Sequence, residues 1–201
     1  MIPFFANKKI VLASASPRRL ELLRQIGVEP IVRPVETAEE QRLMGRGPAH
    51  LVQANARLKA QAATVGGVAH SSIIIGADTV VILGGRLFGK PGEAAEAAAM
   101  LRELSGQRHS VHTGICLIDT DSGYSVCGSN RTLVRFAELS EEEIARYVAS
   151  GEPLDKAGAY GIQGKGGLFV ESISGDYGTV VGLSLPLLAR LARELEKKTC
   201  R

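Results

Sequence analysis

The chain has 201 residues, 45% hydrophobic and 22% charged, with no Trp and 4% aromatics, the composition of a folded globular chain rather than a disordered or fibrous one. A formal net charge of +3 is too small to require a nucleic-acid partner. No apolar run approaches the ~18 residues of a membrane span, and MIPFFANKKIVLA places its apolar residues before its charges, the reverse of a secretion signal, so a cytoplasmic protein is expected.

In chain order, Lys9–Ala13 reads as a short buried strand and 17–26 as a helix. Ser16 suits the N-cap, Pro17 the first helical position and Gly27 the residue just past the end. Leu20, Leu23 and Ile26, with Leu22 beside them, give this helix an apolar face. Glu29–Val35 reads as a second strand, followed by the acidic loop ETAEEQRLMGRG. Pro48–Ala63 reads as a helix with Leu51, Asn55, Leu58 and Ala62 along one face and Lys59 beside it. Ser72–Ile75 and Val80–Leu83 are β-rich runs separated by Gly76-Ala77-Asp78-Thr79, and Gly84-Gly85 predicts a hairpin returning through Arg86–Phe88.

Glu93–Leu104 is an Ala-rich helix with Gly106 just after it. Residues 109–119 and 124–137 read as strands joined by TDSG, and Ser140 with Glu143 forms a capping box for a helix over 141–150. The following stretch is dense in glycine, with one clear strand at Leu168–Ile173, before a closing helix at Leu187–Lys198. Strands and helices without strict βαβ alternation predict an α/β or α+β fold, taken as one domain over 1–201 that can divide into two lobes around a cleft.

Arg18 and Arg19 occupy the first turn of a helix, where the dipole disfavours cations. Either they point into solvent at a small cost, or they join the Ser14 and Ser16 hydroxyls around a bound phosphate, which reverses the electrostatic problem. GGRLFGKP matches a phosphate-binding P-loop until Pro91 replaces the metal-binding hydroxyl residue, so a P-loop is rejected. Lys90 is then either a solvated lysine or a cation held at a hairpin end.

Asp78 interrupts IIIGADTVVIL, where an unpaired carboxylate is costly. It must be paired, exposed at a strand end or bound to a metal, the plainest case being an Asp that caps a turn between two strands. Glu36, Glu39 and Glu40 of the acidic loop are either a solvated charge run or a source of a second carboxylate for Mg²⁺. DKAGAYGIQGKGG carries five glycines and reads as a flexible loop, unless Gln163 presents its amide to a base edge. His109 and His112, three apart in a strand, face opposite sides and do not share a metal. Cys116, Cys127 and Cys200 lack metal-ligand spacing; free buried thiols in a reducing compartment are expected in preference to a Cys116–Cys127 bridge.

Taken together, LASASPRRLELL, IIIGADTVV, GKP with AAAMLRELSGQRHSVHTGICL, SEEEIARYVASGEPLDKAGAYGIQG and LFVESISGDYGTVVGL resemble the Maf family of nucleotide pyrophosphatases across nearly the whole chain. The resemblance implies an α/β fold with a long bent mixed β-sheet flanked by helices, two lobes around a cleft, as in inosine-triphosphatase-like proteins. It implies a cytoplasmic homodimer that hydrolyses a nucleoside triphosphate to monophosphate and pyrophosphate with Mg²⁺ or Mn²⁺. By position, Asp78 matches the family's catalytic and metal-associated carboxylate, and Lys59 and Lys90 its phosphate-contacting lysines. Arg18, Thr79 and Gln163 fall on positions tied to substrate choice, in the form of the branch preferring dTTP and UTP. The acidic-loop metal ligand is Glu39 or Glu40, with Glu40 preferred. Ser184 stands where the family usually has Pro, and Gly178 where a larger polar residue is common. A non-catalytic regulator of septum formation that binds nucleotide or nucleic acid is the competing class; a purine or damaged nucleotide is the competing substrate.

Overall fold

The computed structural model describes residues 5, 7–38, 43, 45–65, 67 and 70–199. In chain order these form strand β1 (Lys9–Leu12), helix α1 (Pro17–Gln25), strand β2 (Ile31–Val32), helix α2 (Gly47–Ala62), strands β3 (Ser72–Leu83) and β4 (Arg86–Phe88), and helix α3 (Ala94–Leu104). Strands β5 (Arg108–Asp119) and β6 (Ser125–Phe136), helix α4 (Glu141–Ala149), strand β7 (Val170–Ser174) and helices α5 (Tyr177–Val181) and α6 (Leu185–Thr199) follow. Three short 3-10 turns, at 152–155, 157–159 and 165–169, fill the glycine-rich stretch before β7.

The strands make one seven-stranded sheet in the order β2-β1-β3-β5-β6-β7, with β4 paired to β3. It is mixed: β1 runs parallel to β2 and β3, β4 antiparallel to β3, and β7 antiparallel to β6. The parallel pairs are those whose connections carry helices, α1 and α2, as a crossover requires. The expected α/β architecture, a mixed sheet flanked by helices, is what forms.

Helix α5 has no counterpart in the sequence reading, and four further features differ from it. Residues 72–83 are one unbroken strand, so Gly76–Thr79 is not a turn. Strand β2 is two residues long rather than seven, and it ends the strand order, where Pro34, its missing N–H turned away from β1, is tolerated. Leu58 is 38% exposed; the buried stripe of α2 is Leu51, Val52, Asn55, Ala56 and Ala60. The expected free thiols are in fact joined: Cys116 of β5 and Cys127 of β6 form a disulfide with Cα atoms 4.1 Å apart. Neighbouring strands bring facing residues this close.

The chain divides into two compact units, and β3, β5 and β6 each contribute residues to both. In the first (1–78, 113–130 and 182–201), Val11, Ala13, Ile74, Cys116 and Ile118 pack against Ala56, Ala60 and Ala63 at α2. Small residues let the helix backbone reach the sheet. A Cβ on Gly76 would overlap the Ala56 carbonyl and lie 2.7 Å from the Ala60 nitrogen. One on Gly114 would overlap the Val52 carbonyl and lie 2.8 Å from the Gln53 nitrogen. These two gaps, on adjacent strands, set the height at which α2 lies on the sheet.

In the second unit (79–112 and 131–181), the scarce aromatics are concentrated in the core. Phe136 and Tyr160 meet edge to face at 4.6 Å, and Tyr147 and Phe169 at 5.0 Å. Gly84 and Gly85, at φ 56° and 80°, make the β3–β4 turn that matches the strand twist.

Candidate active site

Asp78 lies inside β3, 5% exposed. It shares a strand face with Gly76, two residues earlier, and therefore faces α2. Lys59 Nζ donates to Asp78 Oδ1 over 2.7 Å, and Asn55 Nδ2 donates to Oδ2 over 3.0 Å. Asn55 and Lys59 are four apart, one helical turn, so α2 presents both donors on one face. The burial that would make a lone carboxylate costly is compensated by one charged and one neutral donor. Each oxygen keeps a further lone pair for another donor or a cation.

The start of α1 is built differently from the sequence expectation. Ser16 occupies the N-cap with extended backbone, but its side chain makes no capping hydrogen bond. Ser14 does the local work: its Oγ accepts from the Ser16 N–H at 3.2 Å and from Arg19 Nη1 at 2.9 Å. With both lone pairs engaged, the Ser14 hydroxyl proton is left to donate. Arg19 Nε also donates to the Gly182 carbonyl at 2.9 Å. Arg19 is thus a strut between two chain segments, and half-buried Arg18 precedes it.

Ser184, two residues past Gly182, is fully buried. Its Oγ accepts from the Leu187 N–H (3.3 Å) at the start of α6 and from Asn130 Nδ2 (2.8 Å). Serine here caps α6, a role proline lacks the side-chain oxygen to fill.

Thr79, Lys90 and Gln163 belong to the second unit. Thr79 follows Asp78 in β3 and is half-buried; Lys90 is exposed, just past β4. The Gly158 N–H donates to the Gly89 carbonyl at 2.9 Å, which fixes the segment carrying Lys90. Gln163 is exposed in a turn closed by Gly164 N–H to Gly161 carbonyl. That turn is held rather than loose: the Glu152 carboxylate accepts from Tyr147 Oη (3.0 Å) and from the N–H groups of Lys165 (3.1 Å) and Gly166 (3.4 Å). Lys156 is tied to Asp155 at 2.6 Å.

The two histidines of β5 have separate surroundings, as their spacing predicts. His109 Nε2 meets Tyr160 Oη at 2.8 Å, and burial pushes its pKa down to about 4. His112 Nε2 meets Ser110 Oγ at 3.1 Å; burial, then the charge of Arg131, lowers its pKa. Among the described residues no group of three or more His, Cys, Asp or Glu is placed to hold a metal ion. Glu39 and Glu40 lie outside the described residues, and Glu36 is exposed.

The structure therefore brings Lys59 to Asp78, and Ser14 to Ser16 and Arg19. Sequence reasoning placed Asn55 on the helix face but gave it no partner. The signal present was an amide in an otherwise apolar stripe, one turn before the lysine. Glu152 carried no such signal.

A family model of Maf-like proteins matches residues 9–195. A dTTP/UTP pyrophosphatase of Dictyoglomus thermophilum is 45% identical over 94% of this chain and 97% of its own length. One of Bacillus cytotoxicus is 50% identical over 94% of this chain and 95% of its own. A nucleoside triphosphate pyrophosphatase of Streptomyces coelicolor is 44% identical over 94% and 91%. A solved structure, that of the Staphylococcus aureus Ham1 protein, is similar over 65% of this chain and 73% of its own, with a TM-score of 0.45 and 18% identity. On the family match and the near-full-length relatives, the chain belongs to the Maf family.

Proposed function

We propose that the chain hydrolyses nucleoside triphosphates, dTTP and UTP foremost, to the nucleoside monophosphate and pyrophosphate in a divalent-metal-dependent reaction. Its role is then to remove or limit pyrimidine or modified nucleotides, in the cytoplasm and as a homodimer. The observation that carries this reading is the buried Asp78 carboxylate, held by Lys59 on one oxygen and Asn55 on the other, in a chain whose relatives are named dTTP/UTP pyrophosphatases.

Hydrolysis of the α–β phosphoanhydride joins a water oxygen to phosphorus, breaks the bridging P–O bond and frees the water's proton. Asp78 accepts that proton on a lone pair left open by its two donors. The Lys59 ammonium, 2.7 Å from the same carboxylate, offsets charge developing on the phosphate oxygens. The Ser14 hydroxyl proton is a donor to phosphate, with Arg19 holding the hydroxyl and Ser16 contributing the loop. Carried over by position, Lys90 and Arg18 contact phosphate, and Arg18, Thr79 and Gln163 bear on the choice of base.

Mg²⁺ or Mn²⁺ fits this donor set. Such ions use one or two carboxylates and complete their shell with substrate phosphate and water rather than a protein cage. Asp78 is the described carboxylate that would hold it, with Glu40 the second ligand by resemblance. When bound, the ion neutralises triphosphate charge.

The test is a panel of nucleoside triphosphates with and without Mg²⁺ or Mn²⁺, both products being quantified. Metal-dependent turnover greatest on dTTP and UTP is expected. Absence of monophosphate and pyrophosphate from every triphosphate would refute the reading.

A further inference from the structure

Asp78 sits on a strand, and its two oxygens are met by donors of very different stiffness. Lys59 reaches Oδ1 with a long, rotatable stem, able to follow the carboxylate if it turned. Rotation about the Cβ–Cγ bond of an aspartate is itself soft, with a broad two-fold profile. Asn55 is different. Its short side chain is 2% exposed and reaches Oδ2 at 3.0 Å from a helix whose backbone touches the sheet at Gly76 and Gly114. The Ala56 carbonyl, next in the chain to Asn55, is the very group that a Cβ on Gly76 would strike. The amide donor therefore has a fixed height and direction relative to Asp78, and it adds no second positive charge.

We infer that Asn55 is a positioning residue for Asp78: its amide fixes the plane of the carboxylate, and through it the direction from which water is deprotonated. This rests on Asp78 acting as the base. Asn55 does not touch substrate in this role, so its loss lowers turnover and leaves nucleotide affinity in place. The glycine gaps are the reason the amide is in reach, since a helix raised by one methyl would carry it away from Oδ2.

The test compares the full-length protein with Asn55→Ala, Asn55→Leu and Asp78→Asn, using dTTP and Mg²⁺ and measuring kcat, KM and thermal unfolding. Both Asn55 variants lack the donor; alanine leaves a void, whereas leucine keeps the volume. Each is expected to lower kcat about 10- to 100-fold, the usual consequence of a misaimed group, with KM within about two-fold. A loss of kcat in only one of them would trace to packing and overturn the inference, as would wild-type kcat in both. Asp78→Asn separates the two levels. If it retains turnover, the assignment of Asp78 fails; if it is inactive while both Asn55 variants match wild type, the role given to Asn55 alone fails.

Discussion

Lys59 and Asp78 form a hydrogen-bonded ion pair at 2.7 Å, with their side chains only 12% and 7% exposed. A pair withdrawn this far from water is expensive to leave half-made. Lys59→Met is therefore expected to destabilise the fold by about 3 kcal/mol, measured by urea unfolding, while abolishing turnover. Lys59→Arg is expected to recover much of the stability and little of the activity, because a planar guanidinium cannot occupy the place of a compact ammonium.

The neighbouring arginines of α1 differ in what they hold. Arg19 donates to the Gly182 carbonyl and the Ser14 hydroxyl. Arg19→Ala is expected to cost about 2 kcal/mol of stability, the scale of charged hydrogen bonds, along with nucleotide use. Arg18→Ala is expected to lower kcat/KM by about 10- to 100-fold. An unchanged kcat/KM would contradict the phosphate contact assigned to Arg18.

Gly76→Ala tests the seating of α2 without altering any polar side chain. The new methyl would meet the Ala56 carbonyl and the Ala60 nitrogen, backbone atoms that move only with the helix. A loss of about 2 kcal/mol is expected from such overpacking, together with a fall in kcat as Asn55 and Lys59 shift from Asp78. Wild-type stability would mean that α2 does not lie against the sheet.

His109 gives the pH dependence of stability its sign. Burial holds its pKa near 4 in the fold, against 6.5 for an unperturbed histidine. Between those values the unfolded chain binds the extra proton, so stability rises with pH. The contribution is complete above pH 6.5 and is lost as pH falls toward 4, on the order of 3 kcal/mol in full. His109→Gln, which can still reach Tyr160, should flatten that part of the stability profile. An unchanged slope would refute it.

The legible parts of the fold were those set by local chemistry. The capping box shows this: the Ser140 hydroxyl and the Glu143 backbone bond as the spacing requires. The Gly84-Gly85 hairpin likewise closes with Leu83 opposite Arg86. Asp78 is legible because a carboxylate among aliphatic residues needs a partner. Its partners are not, since Lys59 and Asn55 are 19 and 23 residues away and only the docking of α2 brings them near. The same glycine that permits this docking makes GADT resemble a turn, which conceals the continuity of β3. Residues 155–167 read as loose because glycines carry no periodicity; their order comes from Glu152, outside that motif. The disulfide was within reach of the hairpin reading: with TDSG as the connection Asp119 lies opposite Tyr124 and Cys116 therefore opposite Cys127, and only the expectation of a reducing compartment set it aside.

The most direct measurement places wild type and Asp78→Asn side by side on dTTP with Mg²⁺, quantifying monophosphate and pyrophosphate and, separately, nucleotide binding. Asp78 acting as the base predicts equimolar products from wild type, a loss of at least about 100-fold in turnover for the variant, and binding retained. Undiminished turnover by Asp78→Asn would contradict it.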